Sequence, residues 1–247
     1  PMSARRQRQM CIRDRFVGDA VAVVVAETME QAKSAAELID VDYKELTPVV
    51  DFVNADKGAQ IHEEVPNNCY FDWELGDESA TNKAIESAAK VVKLSVRNNR
   101  LVPNAMEPRS ALAEYDSLDE SYTLHTTSQN PHLTRLVLAA FMFAIPESKL
   151  RVIAPDVGGG FGSKIYVYIE EAVCVWASKK IGRPVKWTAD RTQAFLTDCH
   201  GRDHVNDVQL ALDENNKIIG LRVDTVCNLG AYLSCLLYTS PSPRDDR

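Results

Sequence analysis

Apolar residues in the first fifty positions form dense runs separated by a segment with helical spacing. The segment at 16–27, which alternates into a Val-rich run, predicts a buried strand, and the alternating segment at 39–43 predicts a second strand. Between them, Thr28 precedes Gln31 by three residues, which is the capping-box pattern at the start of a helix. A compact strand–helix–strand unit is therefore expected at the beginning of the chain.

The remaining pattern combines short strands with two apolar helices. Residues 51–80 lack periodicity and carry Gly, Pro and Asn, so they are expected to form a long connection. One helix is expected to begin near Pro131, and another is expected over 165–180 with Gly182 at its end. Further elements are predicted as follows: a short helix at 82–89, strands at 91–102, 110–115, 121–127, 150–155, 184–188, 205–212 and 217–229, and a hairpin loop at 213–216. This mixture predicts the α+β class.

The two ends of the chain share a relation that folding does not explain. Residues 10–14 read MCIRD and residues 235–240 read CLLYTS. One permitted coding of the first segment, reverse-complemented and shifted in frame, spells the second. Such inverted ends are typical of adapters in transposon-based sequencing libraries. We therefore expect residues 1–15 and 235–247 to be non-native, adapter-like segments rather than ordinary disordered termini, and the natural protein to be cut at both ends.

Composition and charge exclude several classes of protein. Lys and Arg number 28 against 35 Asp and Glu, and the formal net charge of −7 disfavours nucleic-acid binding. No apolar run approaches the roughly 18 residues that a membrane span requires. The six cysteines show no metal-type pairs, which disfavours a disulfide framework or a zinc ribbon. A cytoplasmic location with reduced thiols is expected.

The segment DVGGGFGSK at 156–164 is the first candidate for chemistry. Four glycines within five positions allow close approach of the backbone to a ligand, and a helix directly behind them would present free N–H groups. Both nucleotide-binding fingerprints are missed, because Ser163 stands where each requires Gly. Phe161, which we expect to be buried among the glycines, favours a shaped ligand contact over a purely structural turn.

A second candidate segment, TTSQNPH at 126–132, ends a strand and opens a helix. Gln129 carries a hydrogen-bond donor and an acceptor on its planar side-chain amide, which could contact a ligand. Alternatively, Ser128 or Asn130 could simply cap the helix.

Two further groups are weaker candidates. Cys199, His200 and His204 include the two-histidine spacing of a zinc site, but a glycine interrupts the segment and no metal site is expected. Glu170 and Glu171 point about 100° apart on a helix, and we interpret them as a solvated face.

Six segments occur in an order that resembles a known family: RFVGDAVAVVVAE, AAELIDVDYKELTPVVD, MEPRSALAEYD, TSQNPH, VIAPDVGGGFGSK and RPVKWTADR. Together they resemble the molybdenum-binding large subunit of the xanthine dehydrogenase and aldehyde oxidase superfamily, and particularly the branch containing aerobic carbon monoxide dehydrogenases. The resemblance covers residues 16–234. It implies a small α/β hammerhead domain at 16–50, a linker at 51–64, and a truncated α+β molybdopterin-binding domain at 65–234.

The resemblance also implies a set of site residues. Gln129 matches the family glutamine that approaches the apical oxygen ligand of molybdenum. The loop that packs on the cofactor is matched by Gly159, Gly160, Phe161 and Gly162. The pterin dithiolene holds the metal in this family, so no protein metal ligand is expected. The catalytic glutamate and the copper-binding cysteine loop of the family would lie further along the chain, so no catalytic residue is assigned.

The implied function is oxidation or hydroxylation of carbon monoxide, an aldehyde or a heterocycle with oxygen derived from water. Ile165 stands where purine-oxidising members carry Glu, which disfavours xanthine. The implied cofactor is molybdenum–molybdopterin in its cytosine dinucleotide form. The implied partners are an FAD-binding medium subunit and an iron–sulfur small subunit, in a dimer of heterotrimers. The fragment by itself is expected to be inactive.

Two alternative functions stay open from the sequence. The chain could be a nucleotide-binding module that uses its Gly-rich loop for phosphate. It could also be a non-catalytic paralogue with the same fold.

Overall fold

The structure, a computed structural model, describes residues 17–61, 65–70 and 72–230. These residues divide into two compact units. The first unit contains 17–42 and 102–201, and the second contains the described parts of 43–101 and 202–230. The proposed adapter segments at both ends of the chain lie outside the described residues. Each unit combines helices with a sheet, which confirms the α+β class.

Helices and strands of moderate length make up both units. The α-helices are α1 (Met29–Ala36), α2 (Glu78–Ser87), α3 (Pro131–Leu136), α4 (Ile169–Ile181) and α5 (Arg191–Thr197). The strands are β1 (Lys90–Asn98), β2 (Ser110–Asp116), β3 (Ser121–Thr126), β4 (Leu150–Ile153), β5 (Val185–Thr188), β6 (His204–Leu212) and β7 (Ile218–Cys227). Short 3₁₀ segments occupy Phe52–Lys57, Pro66–Asn68 and Glu147–Lys149. Among the residues that the structure describes, no helix has the length and apolar character needed to cross a membrane.

The first unit is built on a four-stranded mixed sheet in the order β4-β3-β2-β5. Strand β3 is parallel to β4, whereas β2 is antiparallel to both β3 and β5. Side chains alternate between the two faces of a strand, so every second residue of β2 and β3 enters the core. Ala113 and Leu124 are fully buried there, together with Val175 of α4. The sheet therefore holds α4 against its apolar face. Because β3 and β4 are parallel, the loops that follow them leave from the same end of the sheet.

Helix α3 continues directly into a π-helical segment, Val137–Phe143. The side chain of Asn130 caps α3 by accepting the N–H of Leu133 at 3.3 Å. Pro131 occupies the first turn, where its missing N–H removes no helical hydrogen bond. The π segment contributes Leu138 to the same core and ends at a residue in the left-handed conformation. The predicted helix start near Pro131 is thus confirmed.

The second unit is built on a three-stranded antiparallel sheet in the order β1-β6-β7. The loop between β6 and β7 is a hairpin loop as predicted, in which the N–H of Asp213 donates to the carbonyl oxygen of Lys217 at 2.9 Å. Helix α2 packs on β7. A Cβ atom at Gly220 would lie 2.9 Å from the Cβ of Ala84, so a glycine is needed for this close packing.

The strands predicted at 16–27 and 39–43 are wrong for the residues that the structure describes, which begin at Val17. Neither segment is assigned as strand, and Val21, Val23 and Val25 are each more than 40% exposed. A strand requires a neighbour with which it exchanges backbone hydrogen bonds, and neither segment is paired within the described part of the chain. The capping box between them is confirmed, because Thr28 Oγ1 accepts the N–H of Gln31 at 3.2 Å and Gln31 Oε1 accepts the N–H of Thr28.

The helix predicted over 165–180 differs at its start. It begins at Ile169, whereas its end at Gly182, which has a φ of +65°, agrees with the prediction. Helix α5 was missed by the periodicity argument because it is short. Its start carries a local signal nevertheless, since Asp190 and Gln193 form a capping box.

Candidate functional site

The Gly-rich loop leaves β4 and turns twice before the next helix begins. Gly159 and Gly162 have φ angles of +94° and +93°, and Phe161 between them has a φ of +53°. The expectation that Phe161 is buried is wrong, because its side chain is 74% exposed. The ring lies beside the loop at Gly159, since a Cβ atom added there would lie 2.8 Å from Cε2 of Phe161, and its remaining surface is accessible. The helix also begins four residues later than predicted, at Ile169 instead of 165, so its N-terminus does not lie directly behind the glycines.

Gln129 packs directly on this loop. Its Oε1 accepts the N–H of Gly162 at 2.9 Å and the N–H of Lys164 at 3.2 Å. Its own backbone N–H donates to the carbonyl oxygen of Lys164 at 2.8 Å. A Cβ atom at Gly160 would lie 2.5 Å from Cδ of Gln129, so the glycine leaves the space that the amide occupies. The structure therefore brings together Gln129 and the Gly-rich loop, which the sequence placed about thirty residues apart.

The residues beside Gln129 cap the helix, as the alternative interpretation of this segment proposed. Asn130 caps α3, and Ser128 Oγ accepts the N–H of Asn130 at 3.0 Å. Gln129 takes no part in that cap. Ser128 is buried and supports the helix start, whereas the adjacent Gln129 is exposed.

Several hydrogen-bond donors around Gln129 have no acceptor within the described part of the chain. They are the amide nitrogen of Gln129 and the backbone N–H groups of Gly160 and Phe161. Free N–H groups on a loop of this kind suit oxygen-rich or anionic ligands. The arrangement can therefore donate hydrogen bonds to an oxygen-bearing group that also contacts the exposed Phe161 ring.

Lys164, at the end of the loop, is 2% exposed. Its ammonium donates to the carbonyl oxygen of Glu107 at 2.7 Å and lies 3.7 Å from the carboxylate of the same residue. Burial lowers the pKa of Lys164, and the charges of Glu107 and Asp198 oppose that shift. Because its ammonium is engaged with Glu107, Lys164 does not present its charge to a phosphate group, which counts against the nucleotide-binding alternative.

Glu107 is the site residue that sequence reasoning missed. Its carboxylate accepts the N–H of Gly158 at 2.6 Å, and its backbone N–H donates to the carbonyl oxygen of Gly158 at 3.2 Å. A Cβ atom at Gly158 would lie 2.5 Å from the Cβ of Glu107. Glu107 lies in the MEPRS segment, where no local pattern marks it, because its partners are about fifty residues away.

A buried ion-pair cluster lies behind the loop in the first unit. Arg109 donates to both carboxylate oxygens of Glu170 at 2.9 and 3.2 Å and to Asp198 at 2.6 Å. Its guanidinium lies 3.6 Å from the centre of the Tyr168 ring. The Tyr168 hydroxyl donates to the carbonyl oxygen of Ser163 at 2.6 Å, which links the cluster to the Gly-rich loop.

The interpretation of Glu170 and Glu171 as a solvated face is wrong. Glu170 pairs with Arg109, and Glu171 is 6% exposed. Glu171 accepts the hydroxyl of Thr126 at 2.5 Å and the N–H of Tyr168 at 3.0 Å. Burial raises the pKa of Glu171, and these two hydrogen bonds oppose the shift. Helix α4 packs against the sheet, and in its first turn Ile169 is 55% exposed whereas Glu171 faces the interior.

The described residues hold no candidate metal centre made of protein side chains. No group of three or more His, Cys, Asp or Glu side chains gathers as a metal site among residues 17–61, 65–70 and 72–230. His200 Nε2 lies 3.0 Å from the carbonyl oxygen of Phe195, and the N–H of Cys199 donates to the Tyr168 hydroxyl. Cys199 and His200 thus make contacts with neighbouring segments of the protein and do not form a metal site.

Comparison with known proteins identifies two family matches. Residues 61–240 match the molybdopterin cofactor-binding domain, and residues 4–47 match the a/b hammerhead domain of aldehyde oxidase and xanthine dehydrogenase. The chain is 34% identical over 234 residues to the carbon monoxide dehydrogenase large chain of Hydrogenophaga pseudoflava, covering 89% of this chain and 29% of the relative. It is 32% identical over 221 residues to the nicotine 6-hydroxylase large subunit of Paenarthrobacter nicotinovorans, covering 88% and 27%.

Solved structures of similar proteins also match this chain. Reconstituted CO dehydrogenase from Oligotropha carboxidovorans matches with a TM-score of 0.75 at 32% identity, covering 80% of this chain and 26% of that chain. Quinoline 2-oxidoreductase from Pseudomonas putida 86 matches with a TM-score of 0.75 at 34% identity, covering 85% and 27%. The chain therefore spans less than a third of the length of these relatives.

Proposed function

Because this chain belongs to the molybdopterin cofactor-binding family of aldehyde oxidases and xanthine dehydrogenases, we propose that it forms part of the cofactor-binding subunit of a molybdenum hydroxylase. The observation that carries the proposal is the packing of Gln129 on the Gly-rich loop with unpartnered donors beside it. Such donors fit a group that carries oxygen atoms, as the molybdenum cofactor does.

The residues present fit this cofactor. Gln129 would donate its amide N–H to an oxygen atom of the bound group, and the N–H groups of Gly160 and Phe161 would add donors beside it. The close approach of the backbone requires the space that glycines leave. When bound, the cofactor supplies oxygen transfer from water to carbon and accepts two electrons.

For the substrate we propose carbon monoxide, an aldehyde or a heterocycle. Ile165 is an apolar residue directly after Lys164, and it offers no carboxylate for a purine. The relatives that are similar to this chain include a carbon monoxide dehydrogenase large chain and a nicotine 6-hydroxylase large subunit, so their names cover both carbon monoxide and a heterocycle. Substrate assays with these classes, and with xanthine as the expected non-substrate, test the proposal.

We further propose the cytosine dinucleotide form of the cofactor, an FAD-binding and an iron–sulfur partner subunit in a dimer of heterotrimers, and a cytoplasmic location. These proposals are supported by the family to which the chain belongs. The domain boundaries proposed are 16–50, 51–64 and 65–234. Sequencing of the source DNA past both ends tests whether residues 1–15 and 235–247 are adapter-derived.

The central experiment measures molybdenum and pterin in the purified complex that contains the full-length subunit. We expect about one molybdenum per subunit in the wild type and oxidation of at least one proposed substrate. A complex without molybdenum overturns the proposal. A complex that holds molybdenum but oxidises none of the substrates favours the non-catalytic paralogue, and tight ATP binding without molybdenum favours the nucleotide-binding alternative.

A further inference from the structure

Lys164 connects both ends of the Gly-rich loop to the segments that support it. We propose that Lys164 is a positioning residue, which acts through the loop to hold the side-chain amide of Gln129 with its nitrogen directed outward. The inference rests on the proposed function, because the outward nitrogen matters only if a cofactor lies in front of it.

The first step is the backbone of Lys164. Its N–H donates to Oε1 of Gln129 at 3.2 Å, and its carbonyl oxygen accepts the backbone N–H of Gln129 at 2.8 Å. The hydroxyl of Ser128 donates to the same carbonyl oxygen at 3.3 Å. Two backbone donors, from Gly162 and Lys164, meet the amide of Gln129, so the amide must turn its oxygen toward them. The donor end of Gln129 is consequently left facing away from the loop.

The second step is the side chain of Lys164. A buried ammonium is costly unless it is paired and hydrogen-bonded. Here it donates to the carbonyl oxygen of Glu107, with the Glu107 carboxylate at 3.7 Å. The charged groups around it are Glu107 and Asp198, which attract it, and Arg109, which repels it. An apolar side chain of the same length would fill the volume but would leave the Glu107 carbonyl without this donor.

The third step is the link from Glu107 to the front of the loop. Glu107 and Gly158 exchange two hydrogen bonds, one through the carboxylate and one through the backbone. The lysine side chain therefore fixes the front of the loop at Gly158 through Glu107, while the lysine backbone fixes its rear. Between these points lie two glycines with positive φ, which by themselves give the loop little conformational restraint.

Loss of the ammonium should therefore move the loop and Gln129 without removing any group that contacts the cofactor. A displacement of about 1 Å in a positioned group can lower a rate about 100-fold. We expect Lys164→Met in the full-length complex to lower kcat at least about 10-fold, with a smaller change in KM, because substrate binding is not the function that Lys164 supports.

The experiment compares Lys164→Met, Lys164→Arg and the control Lys186→Met, a substitution of an exposed lysine on β5. For each complex, molybdenum content, kcat and the electron paramagnetic resonance spectrum of the partly reduced protein are measured. We expect normal molybdenum content with an altered spectrum and lower kcat in Lys164→Met, partial recovery in Lys164→Arg, and wild-type behaviour in Lys186→Met. An unchanged spectrum and kcat in Lys164→Met overturns the inference.

A second variant keeps the test valid if Lys164→Met fails to accumulate. Glu107→Gln retains an acceptor for the Gly158 N–H but removes the charge that faces Lys164. We expect it to load molybdenum, to show the same direction of spectral change and to lose kcat by several-fold; a wild-type spectrum and kcat would overturn the inference. If the wild-type complex itself lacks molybdenum, the proposed function fails instead, so the two failures are distinguishable.

Discussion

The side-chain amide of Gln129 occupies the space where residue 160 would otherwise carry a Cβ atom. An ideal Cβ at Gly160 would lie 2.5 Å from Cδ of Gln129, and both residues are held by hydrogen bonds to the same loop. This pair joins two segments that are separated in the sequence into one surface with free donors.

Gly160→Ala should therefore destabilise the loop through a steric clash alone, since Gly160 does not have a positive φ. Overpacking of this kind costs about 1–3 kcal/mol of the free energy of unfolding. We expect a lower Tm and a loss of molybdenum from the full-length complex. Gly201→Ala is the matched control, because no atom lies within 4 Å of its added Cβ.

The clash has a specific partner, which a double variant checks. Gln129→Ala combined with Gly160→Ala should recover the Tm that Gly160→Ala loses, because Gln129 Cγ, Cδ and Oε1 are then absent. The double variant should have no more activity than Gln129→Ala. Failure of the second substitution to restore Tm would contradict the packing described.

Gln129→Glu should separate folding from function. The carboxylate can still accept the N–H groups of Gly162 and Lys164, but it has no donor to direct outward. Removal of one such donor from an active site lowers kcat by about 100- to 1,000-fold. Molybdenum content, Tm and kcat of the full-length complex are measured together. A variant with wild-type kcat would exclude a role for the amide nitrogen.

Glu171 should make stability depend on pH. Burial raises the pKa of Glu171, so the folded protein binds this proton more tightly than the unfolded chain. The contribution of Glu171 to stability is therefore lost as pH rises from the unfolded pKa toward the folded one. Glu171→Gln removes this titration, while its amide can still accept the N–H of Tyr168 and donate to Thr126.

We expect the Tm of Glu171→Gln relative to wild type to increase with pH over that interval and then to level off. Thermal unfolding of the full-length subunit between about pH 4 and about pH 8 tests this, with Glu86→Gln on the exposed side of α2 as control. A difference in Tm that is independent of pH would show that Glu171 does not titrate in this way.

The buried and the exposed ion pairs of the first unit should differ sharply in their contribution to the free energy of unfolding. Arg109→Met leaves the carboxylates of Glu170 and Asp198 without their partner in a buried setting, at a cost of about 3–5 kcal/mol. Arg183 and Glu27 form an exposed pair, with side chains 73% and 78% accessible, so Arg183→Met should cost at most about 1 kcal/mol. Equal losses in denaturant unfolding would contradict this assignment.

Local signals predicted the elements whose stabilising contacts are close in the sequence. The capping box at Thr28 and Gln31, the helix end at Gly182 and the hairpin at 213–216 agree with the structure. The strands predicted at 110–115 and 121–127 also agree with β2 and β3 to within one residue at each end. The resemblance of ordered motifs identified the family, and the family matches confirm it.

The tertiary structure decided everything that depends on a distant partner. The Val-rich run at 20–27 has strand propensity but no paired neighbour among the described residues, and Phe161, an aromatic residue, is 74% exposed. Glu171 and Lys164 are charged residues whose burial depends on partners contributed by other segments. Pattern and propensity describe a residue and its near neighbours. Pairing, burial of charge and the meeting of Gln129 with Gly160 are set by contacts between segments, which only the folded chain brings together.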